Sequence, residues 1–354
     1  NGSVTAFAVV LATLTAVAFG LVPAIRAARP DLVSGLKEGG RGSARSAGRR
    51  SLVVIQVAFA LTLLIAAGLF GRSFVALQSV DPGFRAEGVL TFQLNTPAST
   101  YPENEQVAAF YGTLLERIEG LGGVESAGMV SAVPFSGSDT DVDFVIEGQP
   151  APGPAEGNVI WYRQTDPDYF RTMEIPVRSG RGFTSADHAG APVVVIAEAA
   201  ASRFFPGEDP VGKRIKPGSD PASASPWFTI VGVVGSVRHT GLDAAPKLEM
   251  YLPHAAFPRR AMTIAVRTSV EDPTLLASAV RGVVGELDPN MAIAGLTSME
   301  SLISGSVVLP RFLTLCISAF GALALAWLVL VHVVPAPLRP AHSAVSTRIG
   351  LAAR

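Results

Sequence analysis

LVVIQVAFALTLLIAAGLF, Leu52 to Phe70, contains no charged residue. As a helix rising about 1.5 Å per residue, this stretch would span roughly 28 Å, the thickness of a bilayer's hydrocarbon core. Arg49 and Arg50 precede it, Gly71 and Arg72 close it, and only Gln56 and Thr62 inside it are strongly polar. A helix meets its own backbone hydrogen bonds, so lipid can surround it. The core helix of a soluble protein seldom runs so long without a charge. The stretch therefore predicts a transmembrane helix over 51–71.

Two more uncharged runs lie outward from it, Val4–Ile25 and Phe312–Val334, the latter interrupted by His332 alone. They predict transmembrane helices over 1–25 and 311–334. Only 16% of the 354 residues are charged, against about 25% in soluble domains, and the deficit sits in these runs. Between the last two lies a polar domain, 72–310. The segment 26–50 holds Arg26, Arg29, Lys37, Arg41, Arg45, Arg49 and Arg50 against Asp31 and Glu38. Short basic loops next to spanning helices mark the cytoplasmic side, which makes 26–50 a cytoplasmic loop, 72–310 extracytoplasmic and 335–354 a cytoplasmic tail. Nucleic-acid binding would explain the arginines too, but no aromatic residues interleave with them. Cys316 is the single cysteine, so the outer domain has neither a disulfide nor a cysteine zinc site. Asn1 reads as an interior residue of a longer gene product.

The outer domain begins and ends with similar units. The first is strand Val89–Leu94, helix Asn104–Ile118 and strand Val124–Val130. The second is strand Met262–Thr268, helix Pro273–Leu287 and strand Met291–Leu296. Both helices carry apolar residues at three- and four-residue spacing. Two such units can interleave as a ferredoxin-like sheet. Between them, short β-type runs at Val142–Ile146, Val159–Arg163, Val193–Ile196 and Phe228–Val234 predict a β-rich lobe over 134–253, inserted into an α/β part made of 72–133 and 254–310. The fold class is thus α+β, a bilobed outer domain flanked by transmembrane helices.

Chemical motifs fail one by one. Gly207 to Arg214, GEDPVGKR, nearly spells a phosphate-binding loop, but Arg214 stands where a Ser or Thr should hold magnesium. Ala197–Phe205 before it reads as a helix, not the required strand. Gly232-Val-Val-Gly235 before Arg238-His239 reads as a strand and turn. His188, His239 and His254 have no ligand spacing. Asp139, Asp141 and Asp143 near Gly137 lack the glycine and distal glutamate of a calcium loop. No catalytic, cofactor-binding or metal residues are assigned, and the chain is read as no enzyme.

YFRTMEIPVRSGRGFTSAD (Tyr169–Asp187), RFFPGEDPVGKRI (Arg203–Ile215), TIVGVVGSVRHTGL (Thr229–Leu242) and Tyr251-Leu252-Pro253 together resemble the periplasmic core domain of MacB/FtsX-type ABC transporter permeases. Ala28–Phe74 resembles the midpoint of the duplicated, or ADOP, members. The resemblance covers about residues 1–325. It implies a multi-pass protein of the bacterial inner membrane, working in export or efflux. It further implies a porter-like α/β part with a β-rich insertion, and no chemistry of the permease's own. Its partners would be a separate cytoplasmic ABC ATPase, the lipid bilayer, and a second permease half or a periplasmic adaptor, with no nucleic acid. The alternative is an anchored extracytoplasmic sensor or enzyme acting without an ATPase. The chain departs from the pattern at Glu174, where Gly usually precedes Ile-Pro, and at Ser236, where Asp is common. After Ala326 the text stops resembling the family and reads as a shifted frame or truncation.

Overall fold

The computed structural model describes residues 80–306 apart from 138–139, 151–157 and 190–191, together with scattered positions in 54–76 and 316–323. The chain divides into two compact units, Leu63–Ala322 and a second made of Asn1–Thr62 with Leu323–Arg354. The second lies almost wholly outside the described residues. The predicted span 1–25, the loop 26–50 and the tail 335–354 also lie outside them, as do most of 51–71 and 311–334. Among the described residues no helix is long and apolar enough to cross a membrane.

Unit 63–322 is a mixed α/β structure whose two terminal segments share one sheet. Strands β1 (Val89–Asn95), β2 (Val124–Val130), β10 (Ala261–Thr268) and β11 (Ala294–Ser298) run in the order β11-β1-β10-β2. The first and last segments interleave, as in a ferredoxin-like sheet. Helices α1 (Asn104–Glu119) and α4 (Ala277–Leu287) cover one face. Leu90, Phe92 and Leu94 from β1, and Met262, Ile264 and Val266 from β10, alternate towards that face. They meet Val107, Tyr111, Leu114 and Ile118 of α1, and Val280 and Val284 of α4. The period of two in the strands and the stripe on each helix account for this core. Gln106 helps start α1 by accepting the Glu103 amide hydrogen at 3.2 Å.

The inserted segment forms a closed barrel. Strands β4 (Val159–Thr165), β3 (Asp141–Ile146), β7 (Arg214–Pro217), β8 (Phe228–Val234), β6 (Val193–Ala197) and β9 (Glu249–Pro253) follow in order. β9 then returns to pair in parallel with β4, Trp161 opposite Glu249 through Thr165 opposite Pro253. Closure leaves these strands no free edge. Phe144, Ile160, Val194, Ile196, Phe228, Ile230 and Met250 fill the inside. Strand β5 (Val177–Gly180) pairs with β8 from outside the ring.

Some elements differ from their expectations. The last strand starts at Ala294 rather than Met291, because Met291 turns into the helix-side core and its amide bonds Asp288. The helix expected from Pro273 opens as a 3-10 turn, Pro273–Leu276, before α4. Strands β5 and β9 and the short helices α2 (Tyr169–Thr172) and α5 (Met299–Ser306) were not expected. α3 (Glu198–Phe204) lies within the helix predicted before Pro206.

Candidate functional site

The barrel meets the terminal sheet along a seam between β2 and β4, where a single residue pair, Val130 opposite Thr165, joins the ladders. Side chains reinforce so short a junction. The Thr165 hydroxyl donates to the Met129 carbonyl at 2.8 Å, and the Asp166 carboxylate accepts the Met129 amide hydrogen at 2.7 Å and that of Asp168 at 3.1 Å. Gly128 permits the approach of α2: a Cβ there would lie 2.7 Å from the Tyr169 Cα. Burial drives the Asp166 carboxyl up to about 7, although both amide hydrogens favour its charged form.

Beside the seam lies a buried ion network. Arg163 of β4 donates through Nε to Glu249 of β9 at 2.8 Å, and through Nη1 to the Ala132 carbonyl at 3.0 Å. The other Glu249 oxygen faces His239 Nε2 at 2.8 Å and accepts the Tyr251 hydroxyl at 3.2 Å. Arg163, His239 and Glu249 are all buried. Burial alone would raise the Glu249 carboxyl, but His239 and Arg163 hold it below its ordinary value. Removing one member of such a set strands the others, at a cost of about 3–5 kcal/mol. The arrangement locks the β4–β9 closure to the segment leaving β2.

A second arginine ties β10 to two other chain segments. Arg267, in β10, donates through Nε to the Thr172 carbonyl at 2.6 Å, through Nη1 to that of Glu87 at 3.0 Å and through Nη2 to that of Arg85 at 2.9 Å. Glu174 stands 3.3 Å from both Arg267 and Arg85. Around this clamp lies a core shared by all parts of the unit. It holds Phe84 and Ala86 before β1, Val130 of β2, Tyr169 and Phe170 of α2, Val195 and Tyr251 of the barrel, and Met299 of α5. The segments that enter and leave the terminal sheet therefore rest on the apolar cluster that also bears the barrel.

Among the described residues, the motifs considered in the sequence do not come together as a reactive centre. Gly207 and Gly212 adopt φ of +77° and +86° in the turn between α3 and β7, and Arg214 pairs with Glu147 while Lys213 pairs with Glu208. Gly232 lies within β8 and Gly235 follows its end. His239 belongs to the ion network, whereas His254 packs edge-on against Tyr111, with Nε2 3.0 Å from the Arg259 carbonyl. The His188 side chain and Asp139 lie outside the described residues. Asp141 and Asp143 both stand on β3. Among the described residues no three His, Cys, Asp or Glu side chains are placed to hold a metal. The seam residues escaped sequence reading because Arg163 and Glu249 are 86 positions apart. Isolated charges in short β runs also look like solvent-facing positions.

A family model, the MacB-like periplasmic core domain, matches residues 51–283, well over half of the chain. No curated protein matches the sequence significantly. One similar solved structure is the periplasmic region of MacB from Actinobacillus actinomycetemcomitans, at 15% identity and a TM-score of 0.42, covering 62% of this chain and 92% of that one. Another is the extracellular domain of the noncanonic ABC-type transporter YknZ from Gram-positive bacteria, at 15% identity and a TM-score of 0.37, covering 58% and 100%. On the extent of the family match, this chain belongs to the family of the MacB-like periplasmic core domain.

Proposed function

We propose that this chain is the permease part of a MacB/FtsX-type ABC transporter of the duplicated ADOP kind. In this reading it passes motion from membrane helices to an extracytoplasmic domain while a separate cytoplasmic ATPase hydrolyses ATP. The observation that carries the reading is the shared core at the seam. Phe84 and Ala86 on the entering segment and Met299 on the leaving helix pack into one cluster with Tyr169 and Tyr251, and Arg267 ties the entering segment to α2. A displacement of either segment would therefore load the sheet and barrel together, since packed cores resist continuous deformation. Coupling of this kind needs stiffness and no reactive group.

The uncharged runs 4–25, 52–70 and 312–334 serve as the membrane spans. Exposed Val54, Phe59, Leu61, Ile65 and Leu69 on helical backbone support lipid contact over 52–70. Thr62 supports it too, since its hydroxyl returns to the Ala58 carbonyl at 2.8 Å. In the same reading the basic charge of loop 26–50 supports a cytoplasmic position for it, with 72–310 outside a bacterial inner membrane. Export or efflux, and a second permease half or periplasmic adaptor, belong to the same proposal.

The test uses the full chain in lipid nanodiscs with any ABC ATPase that its genomic neighbourhood encodes. Stable association, and an ATP hydrolysis rate that changes on adding the chain, are expected. Absence of association, with hydrolase activity in the chain alone, would instead establish an anchored enzyme.

A further inference from the structure

The face of the terminal sheet opposite α1 and α4 is not fully packed. It floors a half-open cavity of about 270 Å³. Thr91 and Gln93 of β1 and Thr263 of β10 point to this face, in register with one another: Gln93 lies opposite Thr263. The walls are apolar, made by Val133 and Phe135 from the segment after β2 and by Leu302 of α5. No charged side chain lines the cavity among the described residues.

Two further observations mark it as more than a packing fault. The Ser136 hydroxyl lines it, buried, with no hydrogen-bond partner among the described residues. A buried hydroxyl left unpaired is costly, and native structures avoid it unless something fills the gap. In addition, Val133–Ser136 forms a turn closed by the Ser136 amide hydrogen on the Val133 carbonyl at 3.3 Å. Phe135 holds its third position at φ +63°. Glycine or asparagine ordinarily occupies that left-handed position, and a bulky residue held there is strain of the kind found at ligand clamps. The strain sets the Phe135 ring against the cavity and, 6.4 Å between centroids, beside Phe84.

We propose that this cavity binds a small uncharged molecule bearing an amide, of capped amino-acid size. Ser136, Thr263 and Gln93 offer it hydrogen bonds, and Phe135 and Leu302 hold its apolar arm. An amide matches this lining because hydroxyls and a carboxamide both donate and accept. A charge would be left without a counter-charge and would pay for desolvation. Because Phe135 leans on Phe84 and Leu302 belongs to α5, an occupant would brace both segments that enter and leave the sheet. Binding does not depend on the ATPase partnership, so its failure would leave that reading standing.

The probes are N-acetyl-L-leucinamide and its charged relatives N-acetyl-L-leucine and L-leucinamide. They are titrated against the full chain in nanodiscs by saturation-transfer difference NMR, with empty nanodiscs as the blank. The neutral amide is expected to bind saturably in roughly the millimolar range, as its size allows, with the charged probes at least about ten-fold weaker. Ser136→Ala and Thr263→Val should each weaken it by about three- to ten-fold, the worth of one hydrogen bond. Gln93 is exposed on its strand, so Gln93→Trp is compatible with folding and should block the cavity and abolish binding. Equal affinity for all three probes, unchanged binding in a folded Gln93→Trp chain, or no saturable binding up to roughly ten times that range would each overturn the proposal.

Discussion

Glu174 shows how one residue can break a local rule and be held by its neighbours. It sits at φ +52°, where glycine is at ease, and glycine is the residue that the sequence resemblance leads one to expect there. The left-handed backbone costs on the order of 1 kcal/mol, offset by the carboxylate's contacts with Arg85 and Arg267. Ser236, the other departure, accepts the Ala199 amide hydrogen at 2.7 Å at the start of α3, whose own N-cap, Ala197, supplies no side-chain bond. Aspartate could serve that role equally. Asp166 leads to a prediction. Its carboxyl is raised from 3.8 to about 7 by burial. The folded state therefore holds this proton more tightly than the unfolded chain does. The group destabilises increasingly as pH rises from about 4 to about 7, by on the order of 4 kcal/mol at the upper end. Asp166→Asn removes the ionisation. The stability of the mutant relative to wild type should thus increase between pH 4 and pH 8, measured by denaturant unfolding at each pH. A pH-independent difference would show that Asp166 ionises normally in the folded protein.

At the scale of elements, α1 and α4 bury one shared core although their sequences lie far apart. Val280 of α4 and Leu114 of α1 are both wholly buried in it, and Arg117 and Glu286 pair across the two helices at 3.4 Å. That surface pair is worth at most about 1 kcal/mol, so the apolar core dominates. Val280→Asp places a charge inside it, at a cost of several kcal/mol. Hydrogen exchange on the full chain should then show lost protection at Leu114 and Val124 as well as around residue 280. Loss confined to α4 would mean that the two helices do not unfold as one cooperative unit.

For the whole molecule, the proposed orientation rests on the charge of loop 26–50. In a Cys316→Ser background, Ser219→Cys should react with an impermeant thiol reagent in intact spheroplasts. Ser43→Cys should react only after permeabilisation. The reverse pattern would invert the proposed topology. Ser219 is exposed beyond β7, so its access reports orientation and not burial.

Much of this architecture is written in short stretches of chain. The apolar stripes of α1 and α4 and the alternation in β1 and β10 are local patterns, because a helix or strand facing one core must repeat with its own period. The helix before Gly207 was legible in the same way, and the structure has α3 end at Phe204 with a turn leading into β7. Tertiary structure alone decided the closure of the barrel. β9, Glu-Met-Tyr-Leu-Pro, is buried at every position, so it has no alternation to read, and its glutamate resembles a surface residue until Arg163 and His239 arrive from elsewhere. The same holds for Arg267 and for the cavity at Ser136. A charge is held in a protein interior where distant partners compensate it, and the identity of a distant partner is not encoded in the spacing around either residue.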